Sequence, residues 1–245
     1  MDPLTITAAS GMRAKMEALD LLANNMANVS TPGYKADRES YNLYIGQAAL
    51  EAGSSQPFSP VIEEQWTDLS QGSFNVTGNP LDVALSGAGF LVADGPSGPL
   101  LTRGGSLQVD RNGRLTTREG YELHTVEPKR VKADPLLPVS LDPDGSVRQN
   151  GIALGQLKVV APPGPEGLAK RQGGYFAVDE AGLRSLPAAR AELRQGTLES
   201  SNLGAAEAAV RLVNVLRQFE TLQKALQLGG EMNRRAVEEV ARIQP

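Results

Sequence analysis

Four stretches of the chain carry residue types that chemistry could use. Gly87-Ala88-Gly89 opens like a phosphate-cradling loop, yet Val92 stands where a third glycine is needed and no βαβ unit follows. Asp142-Pro143-Asp144-Gly145-Ser146 begins like a calcium loop, but its glycine comes early and no bidentate acid closes it, so a β-turn accounts for it. Glu63-Glu64 with Asp68 offers carboxylates, but neighbours on an extended chain point to opposite faces, which suits solvated charge better than paired acid–base work. His124 is the single histidine, so a Ser–His–Asp triad would hang on that one residue. The absence of cysteine removes thiolate metal sites, disulfides and cysteine nucleophiles together. The sequence holds no Walker loop, Gly-x-Ser-x-Gly elbow or His-Glu-x-x-His. The expectation is a protein that is not an enzyme and that uses no cofactor or metal.

Charge points the same way. With 24 Lys and Arg against 28 Asp and Glu, the net charge is -4, which argues against nucleic acid as a partner. Lys129-Arg130 with Lys132 is too short a basic cluster to change this. The 26 glycines and 16 prolines exceed ordinary usage and imply many turns. Hydrophobic residues at 40% with aromatics at 4% imply an aliphatic core in one or two domains. The N-terminus lacks the basic and apolar regions of a cleaved signal peptide. No apolar run approaches the roughly 18 residues of a membrane span.

The elements that must position these residues differ between the ends and the middle. Residues 4–28 read as one helix with a seam at Ala9, Met12, Met16, Leu19, Ala23 and Met26, stopped by Val29-Ser30-Thr31-Pro32-Gly33. Residues 203–228 read as a second helix with a seam at Ala205, Ala209, Leu212, Leu216, Phe219 and Leu226. Ser200-Ser201-Asn202 would cap it, and Gly229-Gly230 would break it before a further turn or two at 232–243. Between the helices, residues 36–70 read as extended linker, with Gly53-Ser54-Ser55, Pro57 and Pro60 marking loop. Strands are expected at 81–85, 90–93, 106–109, 114–117, 139–141 and 157–161, with tight turns at Asn112-Gly113 and Asp144-Gly145. The expected fold class is therefore a mainly β body with long amphipathic N- and C-terminal α-helices that pair in a coiled-coil-like way. The expected domains are 1–35 (N-terminal helix and motif), 36–70 (linker), 71–192 (β-rich body) and 193–245 (C-terminal helical segment).

Asn24, Asn25 and Asn28 crowd the end of the first helix, where asparagine is a mediocre helix former. Their amides could serve helix-end carbonyls or a neighbouring chain, or fix register within an apolar seam. The run Ala23-Asn-Asn-Met-Ala-Asn-Val-Ser-Thr-Pro-Gly-Tyr-Lys35 resembles the N-terminal signature of bacterial flagellar axial proteins, the rod and hook family. Gln71-Gly-Ser-Phe-Asn-Val-Thr-Gly-Asn-Pro-Leu-Asp-Val-Ala-Leu-Ser-Gly-Ala-Gly-Phe90 resembles that family's central motif. Thr102-Arg-Gly-Gly-Ser-Leu-Gln-Val-Asp-Arg-Asn-Gly-Arg-Leu115 resembles the hairpin after it. Gln195-Gly-Thr-Leu-Glu-Ser-Ser-Asn202, followed by Arg217, Phe219 and Glu220, resembles the C-terminal signature.

The resemblance implies a structural subunit of the basal-body rod, most like the proximal rod type and next the distal type. It also implies export by the flagellar export apparatus without signal cleavage. Copies of itself and other rod and hook proteins would be its partners, with no nucleic acid and no membrane insertion. Terminal helices would then assemble a helical axial tube that transmits torque. The assembly residues expected at the N-terminal end are Met12, Met16, Leu19, Asn24, Asn25 and Asn28. At the C-terminal end they are Leu198, Asn202, Leu212, Leu216, Arg217, Phe219 and Glu220. The alternative is a secreted β-rich module that binds a surface polysaccharide or protein. Five tyrosines and the lone Trp66 leave few stacking surfaces for sugars.

Overall fold

The computed structural model describes residues 3–44, 59–128, 130–161 and 168–243. Gly53-Ser54-Ser55, Pro57 and Lys129 lie outside the described residues. The chain divides into two compact units. One contains helix α1 (Pro3–Ala27), strands β1 (Asp37–Tyr44) and β2 (Ser59–Thr67), which pair, and helix α3 (Ala205–Ile243). The other runs over Asn28–Ala36 and Thr67–Gly204 and includes the short helix α2 (Glu180–Ser185).

In the first unit, α1 touches both α3 and β1. Among the described side chains of α1, the buried positions are Ala8, Gly11, Ala14, Ala18, Leu22 and Asn25. Their spacing of 3, 3, 4, 4 and 3 lacks the alternation of a heptad. The expected seam stands beside this stripe: Ala9, Met16 and Ala23 are exposed, and Met12, Leu19 and Met26 are half-buried. The physical reason is size. Small side chains let helix backbones approach closely, so the stripe of Ala and Gly turns inward and the larger methionines flank it. The coiled-coil-like pairing expected from the sequence is thus not the arrangement observed. The molecule has one N-terminal helix, a β-rich region broken into several sheets and one C-terminal helix.

Helix α3 runs unbroken for 39 residues. Gly229-Gly230, expected to break it, lies inside it, with Gly229 buried and open space where a Cβ on Gly230 would sit. The glycines cost helix stability without a competing turn to redirect the chain. Strands β1 and β2, which begins at Ser59 and includes Pro60, fall within the stretch read as linker.

The second unit is built from short antiparallel strands. Five of them form its largest sheet, in the order β12 (Val159–Val160), β5 (Phe90–Gly95), β6 (Gly98–Thr102), β14 (Tyr175–Ala177), β13 (Ala169–Lys170). Alternation along β5 sends Leu91 and Ala93 into one apolar cluster with Val83, Leu85 and Val147, while Phe90 and Val92 enter a second with Leu101, Val160 and Phe176. This sheet is therefore covered on both faces. A three-stranded sheet of β9 (Val139–Leu141), β10 (Ser146–Gln149) and β11 (Ile152–Gln156) adds to the first cluster. Two-stranded ribbons complete the unit: β3 (Phe74–Val76) with β16 (Thr197–Glu199), β4 (Val83–Ser86) with β15 (Glu192–Gln195), and β7 (Leu107–Val109) with β8 (Leu115–Thr117). All six expected strand regions carry strands. Between β7 and β8, Gly113 adopts φ +78°, and a Cβ there would sit 2.3 Å from the Ala133 carbonyl oxygen. Only glycine fits that turn.

Candidate functional site: a buried clasp between the terminal motifs

Glu199, on β16, is wholly buried. Its Oε1 accepts from Lys35 Nζ at 2.6 Å and from the Gly72 amide at 2.9 Å. Its Oε2 accepts from Arg103 Nε at 2.8 Å, with Arg103 Nη2 at 2.7 Å. Its backbone carbonyl accepts from the Gly33 amide at 2.7 Å. Arg103 uses its remaining donors on the carbonyls of Gly87 (2.7 Å), Gly89 (2.8 Å) and Leu85 (3.0 Å). Lys35 Nζ also donates to the Ser70 carbonyl at 2.6 Å. One residue from each terminal motif, one from the hairpin motif and backbone from the central motif thus meet at a single carboxylate.

The electrostatics are asymmetric, because two cations share one anion in a site closed to water. Burial pushes the Lys35 amine below its usual range, and the hydrogen bond and charge of Glu199 act against that. The bent path beside the clasp needs glycine: Gly33 has φ +70°, and a Cβ would lie 2.3 Å from the Arg103 backbone. Tyr34 is buried under Lys170, whose Nζ lies 4.0 Å from the ring centroid and donates to the Lys35 carbonyl at 2.6 Å.

Two asparagines extend the same logic. Asn202 Oδ1 accepts from the Ala36 amide at 2.8 Å, and its Nδ2 donates to the Asp68 carbonyl at 2.7 Å. Its side chain therefore ties strand-like backbone together, and the hydroxyl of Ser201 receives the Leu203 amide instead. In the helical unit, Asn25 Oδ1 accepts from the Asp37 amide at 3.0 Å while Nδ2 donates to the Asp37 carbonyl at 2.8 Å. Asn28 sits in the turn after α1, where its carbonyl receives the Thr31 amide at 2.9 Å.

The other expected assembly residues lie on surfaces. Met16, Asn24, Leu216, Arg217 and Glu220 are exposed, and Met12, Leu19, Leu198, Leu212 and Phe219 are half-buried. The structure thus directs the amides of Asn25 and Asn202 into the chain's own fold and leaves an apolar and charged surface on the helices. Lys35, Arg103 and Glu199 were not among the residues expected to act. A usable signal existed: Lys35 is the lone charge in the run 23–35 and Glu199 the lone charge in the run 195–202.

The residues first weighed for chemistry have structural employment. His124 Nε2 pairs with Asp94, which also binds Arg130 Nη2 at 2.5 Å. Arg130 and Arg114 then share Glu122 on the same surface. Asp144 accepts from both the amide and the hydroxyl of Ser146 at 2.9 Å, as a β-turn requires. Among the described residues no group of His, Asp or Glu is placed to hold a metal ion. A cleft of about 330 Å³ is lined by Ser30, Thr31, Pro32, Thr102, Ser106 and Tyr175. The Tyr175 hydroxyl donates to Glu119, and burial raises its pKa, so it is held as a donor rather than poised as a base. Among the described residues no helix is long and apolar enough to cross a membrane.

Comparison with known proteins places these segments in order. Residues 7–35 match the flagella basal body rod protein family, residues 84–151 the D1 domain of flagellar hook protein FlgE/F/G, and residues 194–239 the C-terminal family of basal body rod FlgEFG proteins. The flagellar basal-body rod protein FlgG of Borreliella burgdorferi is 30% identical, over 92% of this chain and 94% of that protein. The basal-body rod protein FlgF of Caulobacter vibrioides is 28% identical over 99% of this chain and 100% of its own length. FlgF of Escherichia coli is 29% identical over 92% of this chain and 93% of that one. Lys35 lies in the first matched segment, Arg103 in the second and Glu199 in the third.

Proposed function

This chain belongs to the family of bacterial flagellar basal-body rod proteins, of proximal or distal rod type, and on that premise we propose that it self-assembles through its terminal helices into the axial tube of the rod. The family is structural and not enzymatic, and the chain's place is the basal-body rod. Its partners in the proposal are copies of itself and other rod and hook proteins, reached after passage through the flagellar export apparatus without signal cleavage. The assembled tube would carry torque.

One observation supports the helices as the assembling surface. Val210, Val213, Leu216, Leu228, Met232 and Val237 are all exposed along α3. Apolar side chains repeated along one helix gain most when other subunits cover them. The expected interface residues Met12, Met16, Leu19, Leu212, Leu216 and Phe219 belong to the same proposal, joined by Asn24, Asn28, Leu198, Arg217 and Glu220. Asn25 and Asn202 hold the backbone that presents those surfaces.

Replacing Leu216 by Asp tests this, because an exposed Leu can become Asp without harm to the free chain, whereas a carboxylate in a dry interface is costly. The expected outcome is a folded, soluble chain that fails to build rods, seen as loss of motility and of rods in purified basal bodies. Normal rods from both Leu216→Asp and Met232→Asp chains would show that the exposed apolar residues of α3 form no interface.

A further inference from the structure

In the helical unit one buried carboxylate lacks what buried carboxylates need. The Glu39 side chain on β1 is 4% exposed, and its Oε2 has no hydrogen-bond partner among the described residues. Arg211 of α3 holds its Nη2 3.7 Å from Oε1, beyond a hydrogen bond. Lys15 of α1 and Arg38 of the same strand also act on it electrostatically. Three elements therefore converge on an acid that is closed off from water and has half of its acceptor capacity unused. An ionised carboxylate in that position forfeits hydration without full compensation. A protonated one becomes a neutral group and forfeits much less.

We propose that Glu39 is a proton-operated latch on the α1–β1–α3 unit: it takes a proton from solvent as the unit closes and returns it as the unit opens. Burial raises the Glu39 pKa above 4.5, and Arg211, the strand's own backbone, Lys15 and Arg38 oppose that only in part. The sign follows. Between the ordinary and the raised pKa the closed unit binds a proton that the open chain does not. Stability of the unit therefore falls as pH rises through that window and levels off above it. Mild acid firms the helical unit, and neutral to alkaline conditions loosen it.

The test uses the full chain in urea, followed by the helical circular-dichroism signal and by Trp66 fluorescence, since Trp66 lies in the same unit. The unit's unfolding constant should rise roughly tenfold between about pH 5 and about pH 8 in the natural chain. Glu39→Gln should remove most of that rise and be the firmer chain at the higher pH. Arg211→Met should carry the loss of stability on to higher pH, because the carboxylate then has less to hold its charge. A carbon-13 titration of the Glu39 carboxyl should show a midpoint above the ordinary range. A Glu39→Gln chain with the natural pH dependence overturns the proposal. So does a Glu39→Gln chain that loses its helical signal at both pH values, since an amide fits wherever a protonated carboxyl does.

Discussion

Removing different members of the clasp should cost very different amounts. Glu199→Ala leaves Lys35 and Arg103 buried without an anion, and loss of about 3–5 kcal/mol is expected from the β unit. Arg103→Leu leaves the Leu85, Gly87 and Gly89 carbonyls without their donor, while the Lys35–Glu199 pair survives. Lys35→Met removes the surplus cation and leaves Glu199 paired with Arg103, so about 1–2 kcal/mol is expected from the lost bonds to Ser70 and to Glu199 Oε1. Urea unfolding of the Glu199→Ala and Lys35→Met chains, read from near-ultraviolet circular dichroism, gives that order or refutes it. His124→Ala, which loses one contact in a half-buried charge ladder, should leave motility and assembly near normal in a swarming assay. The clasp was hard to read in sequence because a lone charge in a turn-rich motif ordinarily faces water. What makes Glu199 different is its partners, and Lys35 stands 164 positions away. Local spacing cannot show such a pair. Asn25 and Asn202 were legible as unusual residues, but their backbone partners Asp37, Ala36 and Asp68 belong to segments whose return path only the fold reveals.

At the scale of elements, the strands were readable because tight turns punctuate them and each apolar run is short. Helix α1 was readable as a helix but not as to which side turns inward. Both Ala9-Met12-Met16 and Ala8-Gly11-Ala14 recur at helical spacing, and hydrophobicity alone favours the larger residues. The competing rule, that small residues permit close approach, decided it. Helix α3 raises a different question, since Gly229 and Gly230 sit in its interior. A Cβ at Gly230 meets nothing within 4 Å, so Gly230→Ala should stabilise the helix by about 1 kcal/mol. Thermal melting of the helical signal at fixed protein concentration measures it. Gly113→Ala offers the contrast: a positive φ and the Ala133 carbonyl both oppose it, so loss of stability in the β unit is expected in thermal melting of the near-ultraviolet circular dichroism.

For the whole molecule, the four motif segments are far apart in sequence yet three of their charged residues share one site, so the chain is tied near both ends by one buried carboxylate. The expected β region with helical ends was legible because it follows from composition and period. The two-unit division was not, because α1, β1, β2 and α3 combine pieces from both ends of the chain. The clasp also has a consequence in time. A chain that emerges N-terminus first displays Lys35 and Arg103 long before Glu199 exists to neutralise them. Closing the β unit early would bury two positive charges with no counterion, which the interior strongly resists. Chains truncated after residue 198 should accordingly remain open and protease-sensitive, and extension by a few residues through Asn202 should switch them to resistance within one narrow interval of length. Glu199, reached only after four-fifths of the chain, would thus act as the release signal for folding of the β unit.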